Sequence, residues 1–91
     1  MVFEWDEDKN AANRRKHGVD FDEASASFYD PQALELFDPG HSDGEDRYIV
    51  FGISKKGRLL AVSCTFRGEA IRLISARKAT KKEINAYEKR I

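Results

Sequence analysis

The sequence has little of several features that define other classes of protein. Its one cysteine, Cys64, has no partner for a disulfide within the chain and no neighbouring ligand at metal-binding spacing. No unbroken apolar run is longer than Tyr48 to Phe51, far short of the roughly 20 residues that cross a bilayer. The chain also begins without the basic residues of a signal peptide. We therefore expect a soluble, cytoplasmic protein with no membrane partner and a buried, unreactive thiol.

The length of 91 residues leaves room for one hydrophobic core, because a chain this short buries only about two-thirds of its unfolded surface. Large scaffolds such as a (β/α)₈ barrel or a complete dinucleotide-binding fold are excluded. A hydrophobic content of 41% and an aromatic content of 11% suffice for a compact core. Residues 1–91 are therefore expected to form a single domain.

The formal net charge of zero conceals an asymmetry between the two halves of the chain. Residues 1–46 contain 13 Asp or Glu and 4 Lys or Arg, which gives −9, whereas residues 47–91 contain 12 Lys or Arg and 3 Asp or Glu, which gives +9. The two halves can pair with each other in the fold. Alternatively, arginines of the second half can form a surface for a polyanion.

Hydrophobic periodicity and capping residues predict eight elements in the order β-α-α-β-β-β-β-α, an α+β fold. Short connections between the later strands favour an antiparallel sheet. The last helix begins with a capping box at Thr80 and Glu83 and has Ile84, Tyr87 and Ile91 as its buried stripe. The predicted segments are strands over 2–5, 33–37, 47–53, 59–66 and 70–76, and helices over 7–17, 21–29 and 80–91.

The first helix has few apolar residues in its interior, Ala11 and Ala12. Its face of Lys9, Asn13, Lys16 and His17, spaced three and four apart, is therefore predicted to lie outside the core. We expect a polar helix that is held at its two ends by the cap residues.

Several short motifs, spread in order over nearly the whole chain, are specific when taken together. They are Phe3-Glu4-Trp5-Asp6, Lys9, Asn13, Lys16-His17-Gly18-Val19, Phe21, Glu23-Ala24, Asp38-Pro39, His41-Ser42, Glu45, Arg47, Gly52, Gly57-Arg58-Leu59-Leu60, Arg67-Gly68, Ile71-Arg72, Ile74-Ser75-Ala76-Arg77-Lys78-Ala79-Thr80 and Glu83. In this combination the sequence resembles the BrnT family of type II toxins. The resemblance implies a small ribonuclease with a RelE-like fold, a curved antiparallel sheet with helices packed on it. It also implies a DNA-binding antitoxin, encoded beside the toxin, that neutralises it in a hetero-oligomer.

Metal-independent cleavage of RNA requires fixed cations around a phosphate, and arginine suits this role because its planar fork binds two phosphate oxygens at once. Four arginines lie at or near strand ends of the predicted sheet: Arg47, Arg58, Arg72 and Arg77. We interpret Arg58, Arg72 and Lys78 as RNA-binding residues, and the resemblance favours catalytic roles for Arg47 and Arg77. The alternative is that these arginines only pair with the acidic first half of the chain.

Cleavage also needs groups that exchange a proton, and His17 is the one histidine on a predicted helix or strand. It follows Lys16 at a helix C-terminus, where it can act as a general acid or base. Its alternative role is to cap the last carbonyl groups of the helix, and Lys16 can equally be a solvated cation.

The acidic loop before Arg47 contains two further candidates. Glu45 is a possible base, although it can also be an ordinary exposed member of the loop. His41, with acidic residues around it, suggests a metal site, but the spacing matches neither a calcium-binding loop nor a zinc motif. We therefore predict no metal and no cofactor.

These residues lead to two hypotheses. In the first, the chain is a metal-independent endoribonuclease toxin that cleaves mRNA through attack of a 2′-hydroxyl, inhibits translation and growth, and is neutralised by its antitoxin. In the second, it is a non-catalytic module that binds RNA or protein with the same basic sheet. The catalytic residues of the first hypothesis are Lys16, His17, Glu45, Arg47 and Arg77.

Overall fold

The helices and strands follow one another in the predicted order within residues 1–89, which the computed structural model of the chain describes. The α+β class is therefore confirmed, while Ile91, assigned above to the buried stripe of the last helix, lies outside the described residues. The elements are β1 (Val2–Glu4), α1 (Glu7–His17), α2 (Phe21–Ser25), a 3₁₀ turn (Ala26–Tyr29), β2 (Leu34–Phe37), a second 3₁₀ turn (Pro39–His41), β3 (Tyr48–Ile53), β4 (Leu59–Arg67), β5 (Ala70–Lys78) and α3 (Lys81–Lys89).

The strands form one sheet in the order β1-β5-β4-β3-β2. The pairs among β2, β3, β4 and β5 are antiparallel, as short connections require. β1 differs because it pairs in parallel with β5, to which no hairpin joins it. A register shift between Ser63 and Cys64 places Ile74 of β5 at an irregularity in the ladder.

The two faces of the sheet are covered unequally. One face, here called the helix-bearing face, packs against α2 and the segments around it, with Phe21, Leu60 and Leu73 almost completely buried. On the opposite face, α3 covers a smaller apolar cluster through Ile84 and Tyr87. Since α3 covers only this part, the rest of the opposite face is open; we call it the open face. No helix of residues 1–89 is long and apolar enough to cross a membrane.

The first helix is held by its middle as well as by its ends. The exposed position predicted for Asn13 is wrong, because the side chain is buried and its carboxamide bonds to the main chain. Its Nδ2 donates to the carbonyl oxygens of Ala76 and Val19, both at 2.8 Å, and its Oδ1 accepts the Ala76 N–H at 3.1 Å. The Asn10 Oδ1, also buried, accepts the Phe21 N–H at 2.9 Å. These two buried amides hold α1 against the rest of the fold, a role that an apolar stripe has in most amphipathic helices.

Replacing Asn13 with alanine is expected to destabilise the fold. The change leaves the Ala76 N–H and two buried carbonyl groups without partners, which costs roughly 3 kcal/mol or more in the free energy of unfolding. Urea unfolding followed by circular dichroism measures the change. The control is Asn85→Ala on the exposed surface of α3, for which we expect less than about 0.5 kcal/mol. Equal effects of the two substitutions would contradict the anchoring role of Asn13.

Candidate active site

A pocket of about 270 Å³ opens on the open face, beside the end of β3. Its floor consists of strand residues that face away from the helix-bearing side, including Ser63 and Ser75, which are paired across β4 and β5. Its wall is formed by the segment that joins β2 to β3. The complete lining is Asp38, His41, Arg47, Ile49, Ala61, Ser63, Ile74, Ser75 and Arg77.

The segment 38–47 is a closed loop, and this closure brings its two ends to the pocket. The Asp38 N–H donates to the Arg47 carbonyl at 2.9 Å, which continues the pairing of β2 with β3. The Ser42 hydroxyl donates to the Asp38 carbonyl at 2.6 Å and accepts the Arg47 N–H at 3.0 Å. The loop therefore holds His41 and Arg47 on the same side of the sheet.

His41 and Asp38 form a hydrogen-bonded pair at the pocket wall. The imidazole Nδ1 lies 2.9 Å from the Asp38 Oδ2. This bond orients the ring and leaves Nε2 free to exchange a proton, because the imidazole side chain is 71% exposed. A carboxylate that orients a histidine is the arrangement that general acid–base catalysis uses.

Arg47 supplies a cation without a competing protein partner. Within residues 1–89 its guanidinium has no hydrogen bond or ion pair, and its side chain lines the pocket. The whole planar fork is therefore available to a ligand, and a phosphate is the ligand that it fits best. The pocket thus combines a group able to move a proton with a group able to bind a phosphate.

Arg77, on β5, is not free. Its Nη1 and Nη2 donate to Oε1 and Oε2 of Glu83 at 2.8 and 3.0 Å. The same carboxylate accepts the Thr80 N–H at 2.8 Å in the capping box of α3, while the Glu83 N–H donates to the Thr80 hydroxyl. The hydrogen bonds from Arg77 lower the pKa of Glu83 to about 2, and those to Glu83 raise the pKa of Arg77. Arg77 therefore fixes α3 to β5, and it lines the pocket with its charge balanced by Glu83.

Comparison with known proteins identifies the family to which the chain belongs. The model of a family described as the ribonuclease toxin BrnT of type II toxin-antitoxin systems matches residues 5–83. The chain belongs to the BrnT family. Among solved structures, the 1.1 Å crystal structure of the Brucella abortus ribonuclease toxin BrnT is 28% identical to it, with a TM-score of 0.66. That match covers 89% of this chain and 100% of the other. No curated protein matches the sequence.

Membership in the BrnT family confirms the resemblance seen in the sequence and implies an antitoxin partner. The predicted site residues nevertheless lie in different parts of the molecule. Arg47 and Arg77, two of the catalytic candidates, both line the pocket. His41 and Asp38 were missed as catalytic candidates, because the sequence offered His41 only as a metal ligand. The signal was present in the motif Asp38-Pro39 followed by His41-Ser42, one of those on which the resemblance to the BrnT family rested.

Arg58 lies outside the pocket, and its guanidinium is held by hydrogen bonds within the fold. Its Nε and Nη2 donate to the two carboxylate oxygens of Glu23, both at 2.7 Å, and Nη2 also donates to the Gly18 carbonyl. The Glu23 side chain is only 1% exposed and accepts a further hydrogen bond from the Ser54 hydroxyl. Hydrogen bonds from Arg58 hold the pKa of Glu23 below its ordinary value. We therefore leave Arg58 out of the RNA site.

The remaining basic candidates and Glu45 are dispersed. Arg72 faces the open side beside Thr65, with its Nη1 3.8 Å from the Glu4 carboxylate. Lys78 alternates with Arg77 along β5, so its side chain leaves the opposite face of the sheet. Glu45 lies in an ion pair with Arg67 at 3.3 Å and does not line the pocket.

Lys16 and His17 lie in an adjoining pocket of about 230 Å³. The two pockets share Ile74 and Ser75, so they form neighbouring sections of one surface. Lys9 lines the same second pocket and adds positive charge. No three His, Cys, Asp or Glu side chains converge as a metal site within residues 1–89. Cys64 is buried as predicted, and burial raises the pKa of its thiol to about 12, which disfavours the reactive thiolate.

The low pKa of Glu83 predicts a pH dependence of stability. The carboxyl has an ordinary value of 4.5 and a folded pKa of about 2, so the unfolded chain binds more protons between these values. Its contribution is fully present above about pH 4.5 and is lost as the pH falls towards 2. Glu83→Gln should lower the free energy of unfolding at pH 7 by ~1–3 kcal/mol.

Chemical denaturation between pH 2 and 7 measures this effect, with the exposed Glu88→Gln of the same helix as the control. The difference between the wild type and Glu83→Gln should shrink as the solution becomes more acidic. A difference that is constant over the whole range would show that the Arg77 pair does not stabilise the charged carboxylate.

Proposed function

We propose that this chain is a metal-independent endoribonuclease toxin of RelE-like type, which cleaves mRNA and thereby inhibits translation and growth. The observation that carries the proposal is the meeting of the Asp38–His41 pair and the unpaired Arg47 guanidinium in one pocket. Family membership supports ribonuclease activity, and this pocket contains the groups that such a reaction needs. We further propose that the antitoxin is a DNA-binding protein encoded beside the toxin and held with it in a hetero-oligomer.

The reaction proceeds by attack within the RNA strand. The His41 Nε2 takes the proton of a ribose 2′-hydroxyl, and the oxygen then attacks the adjacent phosphorus. The bond from phosphorus to the 5′-oxygen breaks, which leaves a 2′,3′-cyclic phosphate on one fragment and a 5′-hydroxyl on the other. Asp38 keeps the imidazole in the orientation that accepts the proton and stabilises the imidazolium that forms.

Two further groups are assigned to the phosphate and to the leaving oxygen. Arg47 binds two phosphate oxygens with its free fork, and Arg77, held in place by Glu83, donates to the phosphate with the N–H groups that Glu83 does not use. The leaving 5′-oxygen takes its proton from Lys16 or His17 in the adjoining pocket. Arg72, on the same open face, extends the positive surface along the RNA strand.

Substitution of the two central residues should abolish cleavage without unfolding the protein. His41→Gln removes the base and is expected to lower the cleavage rate by roughly 10²–10⁴-fold. Arg47→Gln removes the free cation and should have a similar effect. Both side chains have few structural contacts, so melting temperatures should remain close to that of the wild type. Cleavage of a labelled RNA oligonucleotide measures the rates.

Arg15→Gln is the matched control, because Arg15 is exposed on α1 and does not line either pocket. It should cleave RNA at nearly the wild-type rate. If His41→Gln and Arg47→Gln cleave as fast as this control, the pocket is not the active site. If the wild type binds RNA but never cleaves it, the chain is a binding module.

The reaction should also proceed without divalent cations. His41 and Arg47 provide the proton transfer and the charge neutralisation that a metal would otherwise supply. We therefore expect the initial cleavage rate of purified protein in excess EDTA to equal that in Mg²⁺. Loss of cleavage in EDTA and its return on addition of Mg²⁺ would contradict metal independence.

A further inference from the structure

Three aromatic rings lie side by side at the end of the helix-bearing face next to the 38–47 loop. Phe37 of β2 contacts Tyr48 of β3, with ring centroids 5.5 Å apart, and Tyr48 contacts Phe66 of β4 at 5.2 Å. The outer two rings are 51% and 42% exposed, respectively. We call Phe37, Tyr48 and Phe66 the aromatic patch. Adjacent exposed rings of this kind mark surfaces that another molecule covers.

The surroundings of the aromatic patch are acidic. Glu35 lies on the same face, since it is paired with the buried Val50 and its charge contributes to the raised pKa of Cys64. Asp46 lies two residues before Tyr48 in a segment whose pairing with β2 continues to Arg47, so the alternation of side chains places it on the Tyr48 side. The exposed Asp43 belongs to the same loop as Asp46. These three carboxylates have no ion pair within residues 1–89; Glu35 and Asp46 give the patch an acidic rim, to which Asp43 adds negative charge from the adjoining loop.

The sequence explains this one-sided charge. Residues 17–46 contain nine Asp or Glu and no Lys or Arg. Of the two basic residues beside the patch in the following half, Arg47 lines the pocket on the open face, and Arg67 is paired with Glu45. The patch is therefore an apolar centre within an acidic rim, the opposite of the pocket on the open face.

The apolar centre and the acidic rim together indicate which kind of molecule binds the patch. RNA is a polyanion, so an acidic rim repels it. A second copy of this chain, docked through the same patch about a two-fold axis, would place one acidic rim against another. A protein segment that presents apolar side chains flanked by lysine or arginine satisfies both the rings and the carboxylates.

We propose that the aromatic patch is the docking surface of the antitoxin, which binds it through an apolar segment with flanking basic residues. The proposal uses membership in a toxin-antitoxin family and does not depend on the cleavage chemistry proposed above. Phe37 directly precedes Asp38, and Tyr48 directly follows Arg47. An antitoxin docked on the patch therefore contacts the two ends of the loop that forms the pocket.

The test uses the antitoxin itself, isolated as the genomic fragment of the source organism that restores growth to cells expressing the toxin. Its affinity for the purified full-length toxin is measured by isothermal titration calorimetry. Phe37→Ala and Phe66→Ala, singly, should each weaken binding by about 30-fold, as expected for aromatic hot spots. Neither residue lines the pocket, so both variants should still cleave RNA.

Tyr29→Ala is the matched control, because Tyr29 is a 59% exposed aromatic residue that contacts Phe3 away from the patch. It should bind the antitoxin like the wild type. A second measurement tests the rim: the double variant Glu35→Lys and Asp43→Lys should slow association and reduce its dependence on salt. These rim positions are exposed, so this test does not depend on how well the core tolerates loss of a phenyl ring.

Two results would overturn the proposal. Wild-type affinity in both phenylalanine variants, with weakened binding in Lys16→Glu, would place the antitoxin on the basic surface of the pockets. A concentration-dependent dimer of the free toxin that Phe66→Ala abolishes in sedimentation experiments would make the patch an interface between copies. Absence of RNA cleavage in the wild type, with the binding results as expected, would refute the proposed chemistry and leave the docking surface supported.

Discussion

The side chain of Asn13 joins α1 to β5 of the sheet, and the arrangement of the rest of the molecule depends on this connection. β1 pairs only with the first residues of β5, so the later part of β5 has no strand along that edge. The Asn13 carboxamide bonds to both main-chain groups of Ala76 and so replaces a neighbouring strand at that point. The same side chain fixes α1 beside Ile74 and Ser75, which brings Lys16 and His17 to the surface next to the pocket. A polar helix can therefore be anchored at its centre while the side chains at its end line a pocket.

The alternation of side chains along the strands separates the two chemical surfaces. Arg72 and Arg77 point to the open face, and the residues between them that face the helices are apolar. On β2, successive residues also point to opposite faces, with Glu35 on the helix-bearing side and Leu34 beneath α3. The charges of the acidic and basic halves of the chain are thus only partly paired with each other in the fold. Ion pairs such as Arg58 with Glu23 use part of the charge, and the remainder forms the two surfaces.

Much of the fold could be predicted from the sequence because its determinants are local. Asp6 and Gly18 bound α1 as a cap and a left-handed terminus, and the capping box places the start of α3. The second predicted helix was less accurate, since the structure has an α-helical part followed by a 3₁₀ turn. This 3₁₀ turn lies close to β3, and Gly52 of β3 permits the contact, because a Cβ at this position would lie 2.2 Å from the Ser27 carbonyl oxygen. Such a contact between distant segments leaves no local pattern.

The candidate site was harder to predict, since it depends on bonds between the ends of a loop. Arg47 could be recognised as a cation near a strand end, but its freedom from partners follows only from the three-dimensional arrangement. His41 lies in a turn-rich segment, where one 3₁₀ turn sets its ring beside Asp38 three residues earlier, and the Ser42 hydroxyl then closes the loop against Arg47. Because that closure also sets the positions of Phe37 and Tyr48, one short loop determines the geometry of both the pocket and the aromatic patch.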